Sequence, residues 1–153
     1  MTQPIIRQAR VSDIQFLTSS WLKSYRNAAA VRGVPNSVYF FYHHKLLEEL
    51  LSRCTVLIYC YPDNQDQILG YVCAEVFDSA LVVHYAYVKK TFRRLGIAKA
   101  LIKHLVETEE PPAVLYTHKT KDIYPLERDL KEKGWLFHPY MLWVSLPDKW
   151  EER

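Results

Sequence analysis

Lys89, Lys90, Arg93, Arg94 and Gly96 crowd into the short segment 89–96. The run before it is apolar, and the run after it is striped with apolar residues. That combination suits an anion. Arginine presents forked donors to phosphate oxygens, glycine lets a ligand approach the backbone without meeting a Cβ, and the first amides of a helix lack intrahelical partners at its positive end. The chemistry predicts a phosphate-bearing ligand and no particular reaction. His84, a few residues upstream, has an ordinary pKa near 6.5 that suits a base; the alternative is a core histidine with a satisfied ring. His43 and His44 invite a metal hypothesis, but adjacent residues on a helix diverge by about 100° and do not easily ligate one ion. Cys54, Cys60 and Cys73 lie in apolar, strand-like runs. An odd count without close pairing or metal-ligand spacing points to buried thiols in a reducing compartment.

These residues need elements to hold them. Segment 80–88 is apolar, β-branched and aromatic, which predicts a strand with 82, 84, 86 and 88 facing one way and 81, 83, 85 and 87 the other. After Gly96 the period changes: Ile97, Ala98, Leu101, Ile102, Leu105 and Val106 form the stripe of an amphipathic helix. Upstream, residues 4–9 read as a first strand. Ser12 or Asp13 can cap a helix striped by Ile14, Leu17, Trp21, Leu22 and Tyr25. A second helix is expected over 37–51, where Tyr39, Phe40, Phe41 and Tyr42 are too many aromatics for one buried stripe. Some of them should line a pocket, a subunit contact or a groove rim, or pack beneath the neighbouring loop. Segments 54–61 and 68–77 read as a hairpin, and with 80–88 they form a meander. A short strand is expected at 113–118, parallel to 80–88 because a helix separates them. Asp122 can cap a last helix over 123–133 ended by Gly134. A final strand region at 135–146 would be interrupted near His138 and Pro139.

With 153 residues, 49% of them hydrophobic, the chain suits one domain with a real core, taken as spanning 1–153. Its net charge of +3 does not by itself indicate nucleic acid. A nucleic-acid module using the basic surface 89–103 is the weaker reading, because the charge gathers at one helix start and not along a groove. Neither a signal peptide nor a membrane span is visible, so a cytoplasmic protein is expected.

At Arg93, Arg94, Leu95, Gly96, Ile97 and Ala98 the chain resembles the acyl-coenzyme A signature of the GNAT (Gcn5-related) N-acetyltransferase superfamily, Q/R-x-x-G-x-G/A. Val88 and Phe92 match the valine and aromatic residue that precede it in that family. The order β-α-α-β-β-β-α-β-α-β agrees too. The resemblance implies an α/β (α+β) fold with a mixed, mostly antiparallel sheet of six or seven strands and about four flanking helices. The family commonly has two last strands, whereas this chain has room for a short pair; an incomplete or exchanged edge leaves a homodimer open.

The resemblance further implies that acetyl-CoA is cosubstrate, with no metal and with an amine as acceptor. Two parallel strands would splay apart, and the backbone of Ala86, Tyr87 and Val88 would bind the pantetheine arm. The pyrophosphate would meet the amides of 94–98, with Arg93, Arg94 or Lys99 beside it. A free alkylamine has a pKa near 10.4 and must lose a proton before it attacks the thioester; the Val88 amide would steady the developing oxyanion. Val82 stands where some family members carry a carboxylate base, which brings forward His84, with Glu75 and His118 behind it. The usual acid, a tyrosine in the last helix, is replaced by Leu130, and the usual asparagine is absent, with Ile123 near its place. Tyr124 is offered instead, about 9 Å earlier along that helix. The rival is an acyl-CoA-binding or interaction module that keeps the fold without the chemistry.

Overall fold

The computed structural model describes residues 3–77, 79–109, 113–120 and 127–144. Six strands form one sheet in sequential order: β1 Ile5–Gln8, β2 Thr55–Cys60, β3 Gly70–Phe77, β4 Ala80–Val88, β5 Ala113–Tyr116 and β6 Trp135–Phe137. Neighbours are antiparallel from β1 to β4. The helix α3 (Ile97–Glu109) carries the chain over the sheet, so β5 lies parallel to β4 and β6 parallel to β5. This is the α/β sheet that the alternation of periods predicts.

Helices α1 (Ile14–Tyr25) and α2 (Asn36–Arg53) cover one face. Leu17, Trp21, Leu47 and Leu50 are fully buried there against Ile58, Tyr71, Cys73 and Tyr85. The other face takes α3, whose Ile97, Leu101 and Leu105 pack on Val72, Leu81, Val83, Val114 and Tyr116. Each such side chain contributes roughly 1.5–3 kcal/mol by leaving water. Asp13 does not cap α1. Its carboxylate accepts the Arg10 N–H at 2.7 Å and the Arg7 guanidinium at 2.8 and 3.1 Å, tying the start of α1 to β1. Burial works against that charge, but the Arg7 bonds outweigh it and hold the carboxyl below its ordinary pKa.

Gly70 fixes where α3 begins. A Cβ there would lie 2.8 Å from the Tyr87 carbonyl oxygen and 2.9 Å from Ile97 Cγ2, so the helix start sits on β3 only because the side chain is missing. Gly70→Ala is expected to destabilise the protein by about 1–3 kcal/mol through overpacking. Urea unfolding checks this, and a loss below about 0.5 kcal/mol would remove Gly70 from that role.

Toward the C-terminus the expected strand over 135–146 stops at Phe137. His138 N–H makes the last ladder bond, to Tyr116 O at 2.8 Å, and Met141 N–H then closes a turn on His138 O. Pro139 has no N–H to extend the ladder, and Met141–Val144 (α5) is helical. Helix α4, Glu127–Glu132, is followed by Gly134 at φ 88°, the left-handed stop expected of it. Asp122, Ile123 and Tyr124 lie outside the described residues. No helix among those described is long and apolar enough to cross a membrane.

Candidate active site

The parallel ladder between β4 and β5 reaches only Val83 and Tyr116, with one more bond from Thr117 N–H to Val83 O at 3.2 Å. Strand β4 runs on to Val88, so the two strands fork. Lys89 N–H donates to Leu69 O and Tyr87 pairs with Tyr71. By the alternation of an antiparallel ladder, Ala86 and Val88 then turn their N–H and C=O groups to the open edge, and Tyr87 turns its own to β3. Arg93 Nε donates to the Val88 carbonyl at 3.2 Å, on that open side.

Past Val88 a short 3-10 turn, Lys90–Phe92, leads to two left-handed residues, Arg94 at φ 67° and Gly96 at φ 82°. Gly96 O accepts the Ala100 N–H at 2.9 Å, which starts α3. Its missing Cβ would meet nothing within 4 Å, leaving the amides of the first turn open to solvent beside it. Ile97 is buried and anchors the turn, while Arg93, Arg94, Leu95, Ala98 and Lys99 are exposed around it. A cradle of unpaired amides with a left-handed glycine, three cations and a free strand edge fits an extended ligand that ends in a pyrophosphate.

At the fork itself β4 departs from alternation. Cys73 pairs with Tyr85 and Ala74 with Val83, which leaves His84 as the extra residue of a β-bulge. A bulge puts two consecutive side chains on one face. His84 and Tyr85 both point to the α1/α2 side, Tyr87 with them, and the expected facing of residues 85–88 is overturned. Tyr85 stacks on Trp21 at 4.6 Å and bonds Ser24 Oγ at 2.6 Å.

His84 is 1% exposed and engaged at both ring nitrogens. Nε2 meets Glu75 Oε2 at 3.1 Å and Nδ1 meets Thr117 Oγ1 at 2.9 Å. Thr117 Oγ1 also lies 3.0 Å from His118 Nδ1, and His118 Nε2 lies 3.2 Å from His43 Nε2. Three predicted candidates, Glu75, His84 and His118, thus share one bonded chain. Burial opposes a charge on His84, but bonds to Cys54 and Glu75 outweigh it and raise its pKa. Burial likewise opposes the Glu75 charge, and bonds from His84 and Cys54 lower its pKa in spite of that. Without a carboxylate, burial lowers His118 well below the ordinary value and His43 to about 4.

Cys54, Thr117 and His43 escaped the sequence reading of the site. Their partners lie on other elements and no local spacing signals them; His43 carries a sequence signal only as the neighbour of His44. Cys54 Sγ, the Glu75 carboxylate and His84 Nε2 fall within 4.8 Å of one another, a set able to ligate a cation. Here the thiol donates to Glu75 Oε2 at 2.8 Å and Arg53 Nη1 stands 3.4 Å from Oε1, so the carboxylate already has a cation. Of the four clustered aromatics, Tyr39 is buried and bonds Leu22 O at 2.6 Å. Phe40 lines an open groove of about 630 Å³ with Val11, Ile14 and His44, the groove-rim role expected for part of that cluster. Leu130 is half-buried against the α3-side core, and Tyr124 lies outside the described residues.

The profile of the acetyltransferase (GNAT) family matches residues 17–118. No curated protein sequence matches the chain. Similar solved structures include a possible acetyltransferase from Clostridium difficile 630, at 18% identity and a TM-score of 0.58 over 85% of this chain and 88% of that one. A GNAT acetyltransferase from Brucella melitensis in complex with acetyl-CoA follows at 12% and 0.56, covering 82% of both chains. An aminoglycoside N-acetyltransferase in complex with CoA gives 13% and 0.55, over 88% of this chain and 89% of that one. At such identities the likeness is one of fold.

Proposed function

The chain belongs to the acetyltransferase (GNAT) family, and from that premise we propose that it transfers an acetyl group from acetyl-CoA to a primary amine, by direct attack with both bound at the fork of β4 and β5. The observation that carries this reading is the continuity of the free edge at Ala86 and Val88 with the Gly96 turn, where Ala86 to Lys99 offer peptide groups and then cations in the order that a pantetheine arm and a pyrophosphate require. The acetyl-CoA and CoA complexes of the structural neighbours support it.

The peptide groups of Ala86 and Val88 would hold the arm, and the amides of 94–98 with Arg93, Arg94 and Lys99 would hold the phosphates. Bound there, acetyl-CoA supplies an acyl group activated as a thioester. The chain must provide a base, because an alkylamine with a pKa near 10.4 is protonated at neutral pH. His84, which bonds to Cys54 and Glu75 make more basic against the effect of burial, is where that proton can come to rest. For returning a proton to the sulfur, Tyr124 remains the candidate from sequence. The α1/α2 side of the fork is rich in aromatics and carries few acids, which suits a single amine on an apolar or aromatic body better than a polycation.

Calorimetric titration with acetyl-CoA tests the seat. Gly96→Glu sets a carboxylate beside the phosphates; its Cβ meets no neighbour, but φ 82° strains any side chain there, so Gly96→Ala, with the same strain and no charge, is the matched control. Wild-type binding weakened about 30-fold or more, roughly 2 kcal/mol, is expected. CoA release with a panel of amines then separates an enzyme from a binding module. An absence of wild-type binding would reduce the turn to a basic loop.

A further inference from the structure

Acetyl transfer at this fork needs a proton acceptor that touches the amine, and His84 is buried with both nitrogens engaged. The chain of bonds leads from it to His43, a half-buried residue of α2. Thr117 owns one hydroxyl hydrogen and stands between two imidazoles, so it donates to one and accepts from the other. Two ordered arrangements keep the Thr117 hydrogen bonded within the chain. With His84 protonated, Nδ1–H donates to Thr117, Thr117 to His118 Nδ1, and His118 Nε2–H to His43 Nε2. With His84 neutral and its Nε2–H kept on Glu75, every donor reverses: His43 Nε2–H donates to His118 Nε2, His118 Nδ1–H to Thr117, and Thr117 to His84 Nδ1. In the second arrangement the lone pair of His43 Nδ1 is free of a proton.

Resting on the acetyl-transfer reading, we propose that Glu75, His84, Thr117, His118 and His43 form a proton relay, in which His43 Nδ1 takes the proton of the amine and the positive charge comes to rest on His84 beside Glu75. The steps balance. The amine N–H bond breaks as His43 Nδ1–H forms. The His43 Nε2 proton passes to His118 Nε2, the His118 Nδ1 proton to Thr117 Oγ1, and the Thr117 proton to His84 Nδ1. The amine loses one proton and His84 gains one, across contacts of 3.2, 3.0 and 2.9 Å.

The surroundings favour that end point. His84 faces Glu75 and Cys54, with Arg53 on the far oxygen of Glu75. His118 faces Trp21, Tyr25 and Tyr85, and His43 lies between Tyr25 and Tyr39, the latter beneath Arg26. Neither of these two histidines has a carboxylate among its contacts in the described residues, and burial lowers both. The proton therefore runs downhill toward Glu75. His43 is the catalytic residue, and Thr117 and His118 act through it.

Thr117→Val keeps the shape and deletes the hydroxyl, while Thr117→Ser keeps the hydroxyl. The valine variant is expected to lose about 100-fold in kcat, with its calorimetric affinity for acetyl-CoA unchanged, and the serine variant to stay within about threefold of wild type. A second reading needs no substrate. Imidazole ¹⁵N shifts of the wild type, followed as pH rises, should show His118 moving from its Nε2–H to its Nδ1–H tautomer, and His43 from Nδ1–H to Nε2–H, at the midpoint of His84. Equal rates in the two variants, or tautomers indifferent to His84, would overturn the relay and leave acetyl transfer standing. The tautomer switch without CoA release from any amine would remove the acetyl-transfer reading instead.

Discussion

Glu75→Gln is expected to lower kcat by about 10²–10⁴-fold, the range of a general base, with affinity for acetyl-CoA unchanged because residue 75 lies away from the Gly96 turn. Glutamine keeps the size and an acceptor oxygen for His84 Nε2–H but removes the charge. Burial then acts on His84 with less opposition, and its pKa falls from its raised value. A base works above its pKa, so the acid limb of the kcat/KM profile should move to lower pH while the plateau drops, since a weaker base is a poorer one. Stability should change as well. The lowered Glu75 pKa contributes above its ordinary value of 4.5 and fades as pH falls through the folded value. The raised His84 pKa contributes fully below 6.5 and fades as pH rises through the folded value. The difference between wild type and variant, about 1–3 kcal/mol, should therefore peak between those two ordinary values. A pH–rate profile of unchanged shape and height would contradict the assignment.

Trp21→Ala should cost about 3–5 kcal/mol. Trp21 is fully buried, stacked on Tyr85 at 4.6 Å and 5° and set edge-on to His118 at 5.2 Å. Its Nε1 has no hydrogen-bond partner among the described residues, so the loss is one of packing, and Trp21→Phe should cost far less. For a chain of this size each kcal/mol lowers Tm by about 2–4 °C, and total stability is commonly about 5–15 kcal/mol. Calorimetric melting reads the effect directly; a shift under about 3 °C would mean that the cavity closes at little cost. The alanine variant should also loosen the seat of His118 and thereby slow acetyl transfer at temperatures where it is still folded.

What could be read from the sequence divides along the range of the interactions. The passage from β4 to α3 was legible because its signals are local: a change of period, a glycine and four cations within segment 89–94. The hairpin and the parallel placement of β5 followed from connection rules. The bonded histidines were legible only singly. Their partners lie 9, 33 and 75 positions apart, and nothing in the neighbourhood of His43 points to His118. The facing of 85–88 was missed because strict alternation has no term for an extra residue. The break of the last strand at His138 and Pro139 was legible from the proline, but its continuation was not: a short apolar run such as 141–144 reads equally as strand or as helical turn, and it is helical.

The bulge at His84 has a consequence for how this strand can change. Its upstream half keeps step with β5 through Val83, and its downstream half presents Ala86 and Val88 to the open edge. His84 is the extra residue, so its loss alone would leave Tyr85 opposite Cys73 and on the same face in a regular ladder, at the cost of the imidazole. From Tyr85 to Val88 the count is a matter of parity: one residue lost or gained there would exchange the roles of neighbouring peptide groups, and two would restore them at shifted positions. The bulge is thus the one place in this stretch where the length can change by a single residue without turning the open edge over.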